Sequence, residues 1–192
     1  MTEKTAQKEP GKKPAPSKKP KPQQEVVVQI PLSKLHPFPD HPFQVREDAS
    51  MQETAESVKE YGVLVPALAR PREDGGYELI AGHRRKHACE LAGLATMPVI
   101  VRDIDRDAAT IIMVDSNLQR ENILPSERAK AYKMKMEAIK RQGARTDLTS
   151  PKISAKFRSD DEVGQDAGVS GDTIRNYIAL TQLVPELQQM VD

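Results

Sequence analysis

Two stretches of this 192-residue chain concentrate side chains suited to binding an anion. The first is Gly82-His83-Arg84-Arg85-Lys86-His87-Ala88, between a strand-like run (Tyr77 to Ala81) and a helix-like run that stops at Gly93. A glycine at such a junction lets a ligand approach the backbone, and the free N–H groups of the first helical turn attract anions. Arg84 and Arg85 carry forked donors that match phosphate oxygens, and successive helical positions would splay them to either side of one anion. The same residues also suit the wet face of an amphipathic helix that buries Ala88, Leu91 and Ala92. Gly-x-Arg-Arg is short and no Walker-type lysine follows, so motif chemistry leaves both readings open. The second stretch runs from Asp115 to Asn122, polar and expected to be irregular. Asn117, Gln119 and Arg120 are donors that would complete a phosphate or nucleotide site, although an ordinary solvated helix exit would read the same way.

The surrounding elements are arranged to deliver these residues. Val26 to Ile30 reads as a short strand, ended by Pro31 and the irregular His36-Pro37-Phe38-Pro39 cluster. Met51, Ala55, Val58 and Tyr61 recur at helical spacing, with Gly62 as the stop. Leu64 to Ala69 is a second strand, and Asp74-Gly75-Gly76 is a hairpin turn that pairs it antiparallel with Tyr77 to Ala81. The helix after Gly82 is followed by a strand over Met97 to Val101. Asp105 caps a helix carrying Ala108, Ile111, Ile112 and Val114. The order strand, helix, hairpin, helix, strand describes a small α+β domain with the glycine-arginine turn at the end of an inner strand, where ligands often sit.

Downstream the chain is helical and basic. Pro125 suits the first position of a helix whose buried stripe is Ala129, Tyr132, Met136 and Ile139. Between Asn117 and Arg145 eight basic residues face three acids, which is a solvated face or a phosphate-contacting one. Asp160 to Ala167, the turn Gly168-Val169-Ser170 and Gly171 to Leu183 form a helix-turn-helix pattern. Val163, Ala167, Val169, Ile174 and Ile178 face inward and Ser170 is the N-cap. Gly171, Asp172, Thr173, Arg175 and Asn176 then project from the N-terminal half of the second helix, where base edges are read; with Ser170, these are the candidate DNA contacts. Two ordinary packed helices would share the pattern.

Composition limits the alternatives. A chain that is 38% hydrophobic and 4% aromatic is lean, so part of it should be unpacked. That part is Met1 to about Glu25, with seven lysines against three acids and five prolines, expected to be a disordered basic tail. Net charge is only +1, so any nucleic-acid surface must come from local segregation. The lone Cys89 cannot form an internal disulfide, which fits a reducing compartment, and its place beside Ala88 suits burial rather than catalysis. No apolar run spans a membrane and no signal-peptide core is present, so a cytoplasmic protein with no membrane partner is expected.

The Gly-x-Arg-Arg turn, the Asn-Leu-Gln-Arg-Glu cluster and a helix-turn-helix, in this order, resemble the ParB family of partition proteins over roughly Val26 to Asp192. Gly82-His83-Arg84-Arg85 looks like its plasmid or mobile-element branch, and Pro42-Phe43-Gln44-Val45-Arg46 resembles a further family segment. The resemblance implies an α+β fold in which a small mixed ParB-like nucleotide-binding domain (26–124) precedes an all-α helix-turn-helix DNA-binding domain (125–192), with the C-terminal dimerisation region absent. It implies a clamp that binds CTP with Mg²⁺, loads on a palindromic parS-like site in double-stranded DNA, and closes through self-association of its N-domains. Segregation of plasmid or nucleoid DNA would be its role.

Carried over residue by residue, Gln44, Arg46, Gly82, His83, Arg84, Arg85, Ser116, Asn117 and Arg120 fall at the nucleotide site. Gln44, Arg46 and Asn117 are the candidate catalytic groups, and Asn117 the candidate metal contact. The basic tail would stimulate a ParA-type ATPase. Three positions depart from the family: His83 and Ser116 stand where many members have Glu, and His87 where many have Arg. Losing two carboxylates favours CTP binding over hydrolysis, so a CTPase activity would be slow and DNA-stimulated. A ParB-fold kinase would not need the helix-turn-helix, and sulfiredoxin chemistry needs a cysteine within the turn, where His83 stands. A plain transcription regulator would show no nucleotide effect on DNA retention.

Overall fold

The computed structural model describes residues 25–120, 123–147 and 159–192. The basic tail expected before Glu25, and Glu121 and Asn122 of the polar cluster, lie outside the described residues. Five strands and seven α-helices are formed among those described. In order they are β1 (Val27–Pro31), β2 (Leu35–Pro37), α1 (Ala49–Tyr61), β3 (Ala67–Pro71), β4 (Tyr77–Ala81), α2 (His83–Leu91), β5 (Thr96–Val101), α3 (Arg106–Leu118), α4 (Pro125–Asp147), α5 (Ser159–Ala167), α6 (Gly171–Leu180) and α7 (Pro185–Val191).

The strands form one mixed sheet in the order β1-β5-β3-β4-β2. β3 and β4 are the expected antiparallel hairpin, with a bulge at Leu68/Ala69. β3 begins at Ala67 rather than Leu64, because Leu64 and Val65 are 78% and 63% exposed and form a surface loop. β2 falls where irregular chain was expected. Pro37 is tolerated there because β2 is an edge strand, joined in parallel to β4 alone.

Both faces of the sheet are covered. Leu79 and Ile80, consecutive on β4, point to opposite sides as strand geometry requires, and both are fully buried. Leu79 joins a core with Ile30, Met51, Val58, Ala88 and Cys89 beneath α1 and α2. Ile80 joins Phe38, Phe43, Met113, Val114 and Ala131 beneath α3 and α4. Leu91, expected inside, is 53% exposed; the small Ala88 and Cys89 hold the buried face of α2 instead. Burial pushes the Cys89 thiol up, with Glu90 adding to it, as suits a packing residue.

A third core of Tyr132, Val163 and Ile174 joins α4 to α5 and α6. At the junction of all three helices Lys135 is 1% exposed, with its Nζ 2.7 Å from Asp115 on α3 and 2.9 Å from Asp166 on α5. The Asp192 carboxylate closes the first turn of α4, accepting from Ser126 N–H at 2.8 Å and from its hydroxyl at 2.6 Å.

Candidate functional site

A cleft of about 450 Å³ opens where the loop before α1, the start of α2, the exit of α3 and the first turn of α4 meet. Phe43, Gln44 and Arg46 line it from the loop, Ser50 from α1 and Arg84 from α2. Gln119, Arg120 and Ile123 come from the α3 exit, and Glu127 from α4.

The orientation of α2 depends on Gly82. Its φ of +107° disfavours any side chain, and an added Cβ would lie 2.8 Å from the Cβ of Ala67. Only glycine lets α2 start hard against β3 with Arg84 facing the cleft. Asp48 caps α1 by accepting from the Met51 N–H at 2.9 Å. Arg84 Nη2 donates to Ser50 Oγ at 3.1 Å and lies 3.8 Å from Asp48.

Electrostatically the site is crowded with positive charge. Burial, then repulsion from Arg84, pulls the Arg120 guanidinium below its ordinary value, while Glu127 opposes the shift. Burial, then Arg120, does the same to Arg85. An anion at the same place would relieve the repulsion that these guanidiniums impose on one another. Glu127 is 7% exposed and holds the walls together: Oε1 accepts the Gln44 N–H at 3.0 Å and Oε2 the Leu124 N–H at 3.3 Å.

Of the residues marked in the sequence, Gln44, Arg46, Arg84, Gln119 and Arg120 meet on this cleft. Gly82 serves as the left-handed N-cap and is not part of its lining. Arg84 and Arg85 do not flank one anion, because about 100° of helical rotation separates neighbouring residues. Arg85 turns the other way and donates through Nη1 to the carbonyls of Val65 and, at 2.7 Å, Pro66.

Ser116 and Asn117 are also absent from the lining. They belong to α3, which stays helical to Leu118 where irregular chain was expected. Ser116 Oγ and Asn117 Nδ2 donate to the Met113 carbonyl at 2.9 and 2.8 Å, and Asn117 is 3% exposed. Among the described residues no group of three or more His, Cys, Asp or Glu is placed to hold a metal ion. Ser50, Ile123 and above all Glu127 are wall residues that the sequence did not mark; the only sequence signal for Glu127 was its place in the first turn after Pro125.

His83 stacks on His41, with ring centroids 3.9 Å apart and planes tilted by 45°. His41 Nδ1 hydrogen-bonds the Phe43 carbonyl at 2.7 Å, and the Nε2 atoms of both rings are buried without a partner. Desolvation, then the fields of His41, Arg120 and Lys86, lower the His83 pKa from 6.5 to about 3, so the ring is neutral near pH 7. His87 leaves the cleft for Glu47 at 3.3 Å and Glu90 at 3.4 Å.

The second candidate surface is the α5–α6 pair. Gly168 turns the chain with φ +69°, and Ser170 caps α6 by accepting from the Thr173 N–H at 3.1 Å. Thr173 is half-buried, and Ser170, Asp172, Arg175 and Asn176 are exposed. Gly171 is buried instead, because α5 crosses it: an added Cβ would lie 2.2 Å from Asp161 Oδ1. Val169, expected inside, is 37% exposed.

The model of the ParB N-terminal domain matches residues 16–118. The chromosome-partitioning protein Spo0J of Thermus thermophilus is 36% identical over 167 residues, 86% of this chain and 55% of its own length. Stage 0 sporulation protein J of Bacillus subtilis is 32% identical over 168 residues, 88% of this chain and 53% of its own. This chain therefore spans about half the length of the curated relatives it matches. A crystal structure of C-terminally truncated ParB from Caulobacter crescentus, complexed to the centromeric parS site, aligns with a TM-score of 0.55 and 29% identity, covering 84% of this chain and 75% of that one. The family model takes in the sheet, the glycine turn, all of α3 and, of the residues that line the cleft, Phe43, Gln44, Arg46, Ser50 and Arg84, and the chain belongs to the ParB family.

Proposed function

We propose that the cleft binds CTP and that nucleotide occupancy governs how the chain holds DNA. The observation that carries this reading is the convergence of Arg46, Arg84 and Arg120 with Gln44 and Gln119 on one cleft of about 450 Å³. Guanidiniums and amides are the donors a triphosphate requires, while Phe43 and Ile123 offer an apolar wall to a base. Mg²⁺, when bound, would offset the charge of the phosphates. Of the residues lining the cleft, Glu127 carries the carboxylate that would hold it, whereas Asn117 is turned into α3. His83 and Ser116 bring no carboxylate, which supports binding with slow turnover. Choice of CTP over other nucleotides rests on the family resemblance.

The α5–α6 pair is the proposed helix-turn-helix, reading a palindromic duplex through Ser170, Thr173, Arg175 and Asn176. Family membership and the similarity to a parS-bound ParB support it. Closure of two N-domains on DNA, a ParA-type ATPase met by the basic tail, and a role in chromosome or plasmid segregation in the cytoplasm belong to the same proposal. Among the described residues no helix is long and apolar enough to cross a membrane.

Titration calorimetry with CTP, ATP, GTP and UTP in the presence of Mg²⁺ tests the nucleotide reading; equal affinities would remove it. On closed circular DNA, CTP-dependent resistance to high salt separates a clamp from a regulator that only binds its site.

A further inference from the structure

Arg175 lies on the face of α6 proposed to meet DNA, yet two carboxylates already hold it. Its Nη1 donates to Asp160 of α5 and its Nη2 to Asp172, one turn earlier on α6. The two acids differ in setting. The Asp160 side chain is 13% exposed, so the packing of α5 fixes it, whereas that of Asp172 is 80% exposed. Gly171 and Gly164 keep the two helices in close contact: a Cβ on either would lie under 3 Å from an atom across the turn. The guanidinium is thus braced from both sides at a junction with little freedom to shift.

Lys140 lines the same hollow as Asp160 and Arg175, but Asp172 stands exposed beside the guanidinium, so a phosphate approaching Arg175 meets a carboxylate. Helix N-termini otherwise attract phosphate, and a free arginine there would grip any duplex backbone. A braced guanidinium still has unspent N–H donors among its five, held in a fixed plane. Such a group is well placed for the paired acceptors of a guanine edge and poorly placed to follow a phosphate.

We infer that Asp160 and Asp172 are specificity-determining residues, which position Arg175 for a base edge and repel sequence-independent phosphate contact. The inference rests on the helix-turn-helix reading. Asp160→Asn and Asp172→Asn keep shape and remove charge. The probes are a palindromic duplex enriched by the wild-type chain from a random library and a scrambled duplex of equal length and composition.

Each variant is expected to bind the scrambled duplex more tightly and to lose about tenfold in its preference for the enriched one. The log–log salt slope on the scrambled duplex should steepen by about one contact as Arg175 moves to a phosphate. Asp172 is exposed, so its variant carries little folding risk, and Asp160→Glu should restore preference to an extent that loss of folding would not allow. An unchanged preference in both folded variants, or equal weakening on both duplexes, overturns the inference. If the wild-type chain itself enriches no sequence, the underlying helix-turn-helix reading falls, a result distinct from either.

Discussion

Glu127 and Gln44 are separated by 83 residues, and the carboxylate of one accepts the backbone N–H of the other at 3.0 Å. This single carboxylate ties the loop lining one wall of the cleft to the helix forming the opposite wall. Because Glu127 also accepts from Leu124, its removal strands two backbone donors. Glu127→Ala should therefore cost about 1–3 kcal/mol in urea unfolding, and Glu127→Gln, which keeps one carbonyl oxygen, clearly less. Equal midpoints for the two variants would contradict the bridging role.

Adjacent arginines should give opposite phenotypes. Arg84 faces the cleft, and losing one charge-assisted contact to a phosphate corresponds to about 1.5–3 kcal/mol, or about 10- to 100-fold in affinity. Arg84→Ala should show this in CTP calorimetry with an unchanged melting temperature. Arg85 holds the carbonyls of Val65 and Pro66, so Arg85→Ala should mainly lower the melting temperature. A larger affinity loss in Arg85→Ala than in Arg84→Ala would reverse the assignment.

His83 makes stability depend on pH. Its folded-state pKa near 3 lies below its ordinary 6.5, so the unfolded chain binds the extra proton. The stabilisation is complete above about pH 6.5 and drains away as pH falls toward 3, at up to about 1.4 kcal/mol per pH unit. Denaturant midpoints should drop between pH 7 and pH 5, and His83→Gln should flatten that slope. A wild-type midpoint constant over this range would rule out a buried neutral His83.

Burial lowers the Lys135 pKa, but the hydrogen bonds it donates to Asp115 and then Asp166 outweigh it and hold the ammonium above its ordinary value. Its partners are partly exposed, with side chains at 46% and 57%, and can be rehydrated if the lysine is lost. Lys135→Met should accordingly be tolerated within about 1–2 kcal/mol. The pair Asp115→Asn with Asp166→Asn strands a buried cation and should cost about 3–5 kcal/mol. Calorimetric unfolding of both variants decides; similar losses would mean the triad is not the reason for the arrangement.

How much of this was legible in the chain follows from how local each signal is. The strand-to-helix junction at Gly82, the caps Asp105 and Ser170, and the hairpin at Gly75-Gly76 are settled within a few residues of sequence, and they were read correctly. β2 was not, since Leu35 to Pro37 becomes a strand only through parallel pairing with residues 77–79, and its proline argues locally for a break. Arg84 and Arg85 read as a unit because spacing gives types, whereas the divergence depends on the carbonyls the loop before β3 presents. Glu127 sits in a strongly basic run, and nothing nearby announces a partner 83 positions upstream. The His41–His83 stack likewise joins a loop to the first residue of α2 through packing alone.

α4 is 23 residues long, about 35 Å at 1.5 Å per residue, and no break interrupts it. Its first turn carries Glu127 on the arginine cleft, while Tyr132 and Lys135 further along seat α5 and α6. Mechanically it is one stiff shaft that carries the cleft at its first turn and α5 and α6 from mid-length, with no joint between them. A tilt of about 5° about its first turn would sweep the far end through about 3 Å, roughly the rise of two residues.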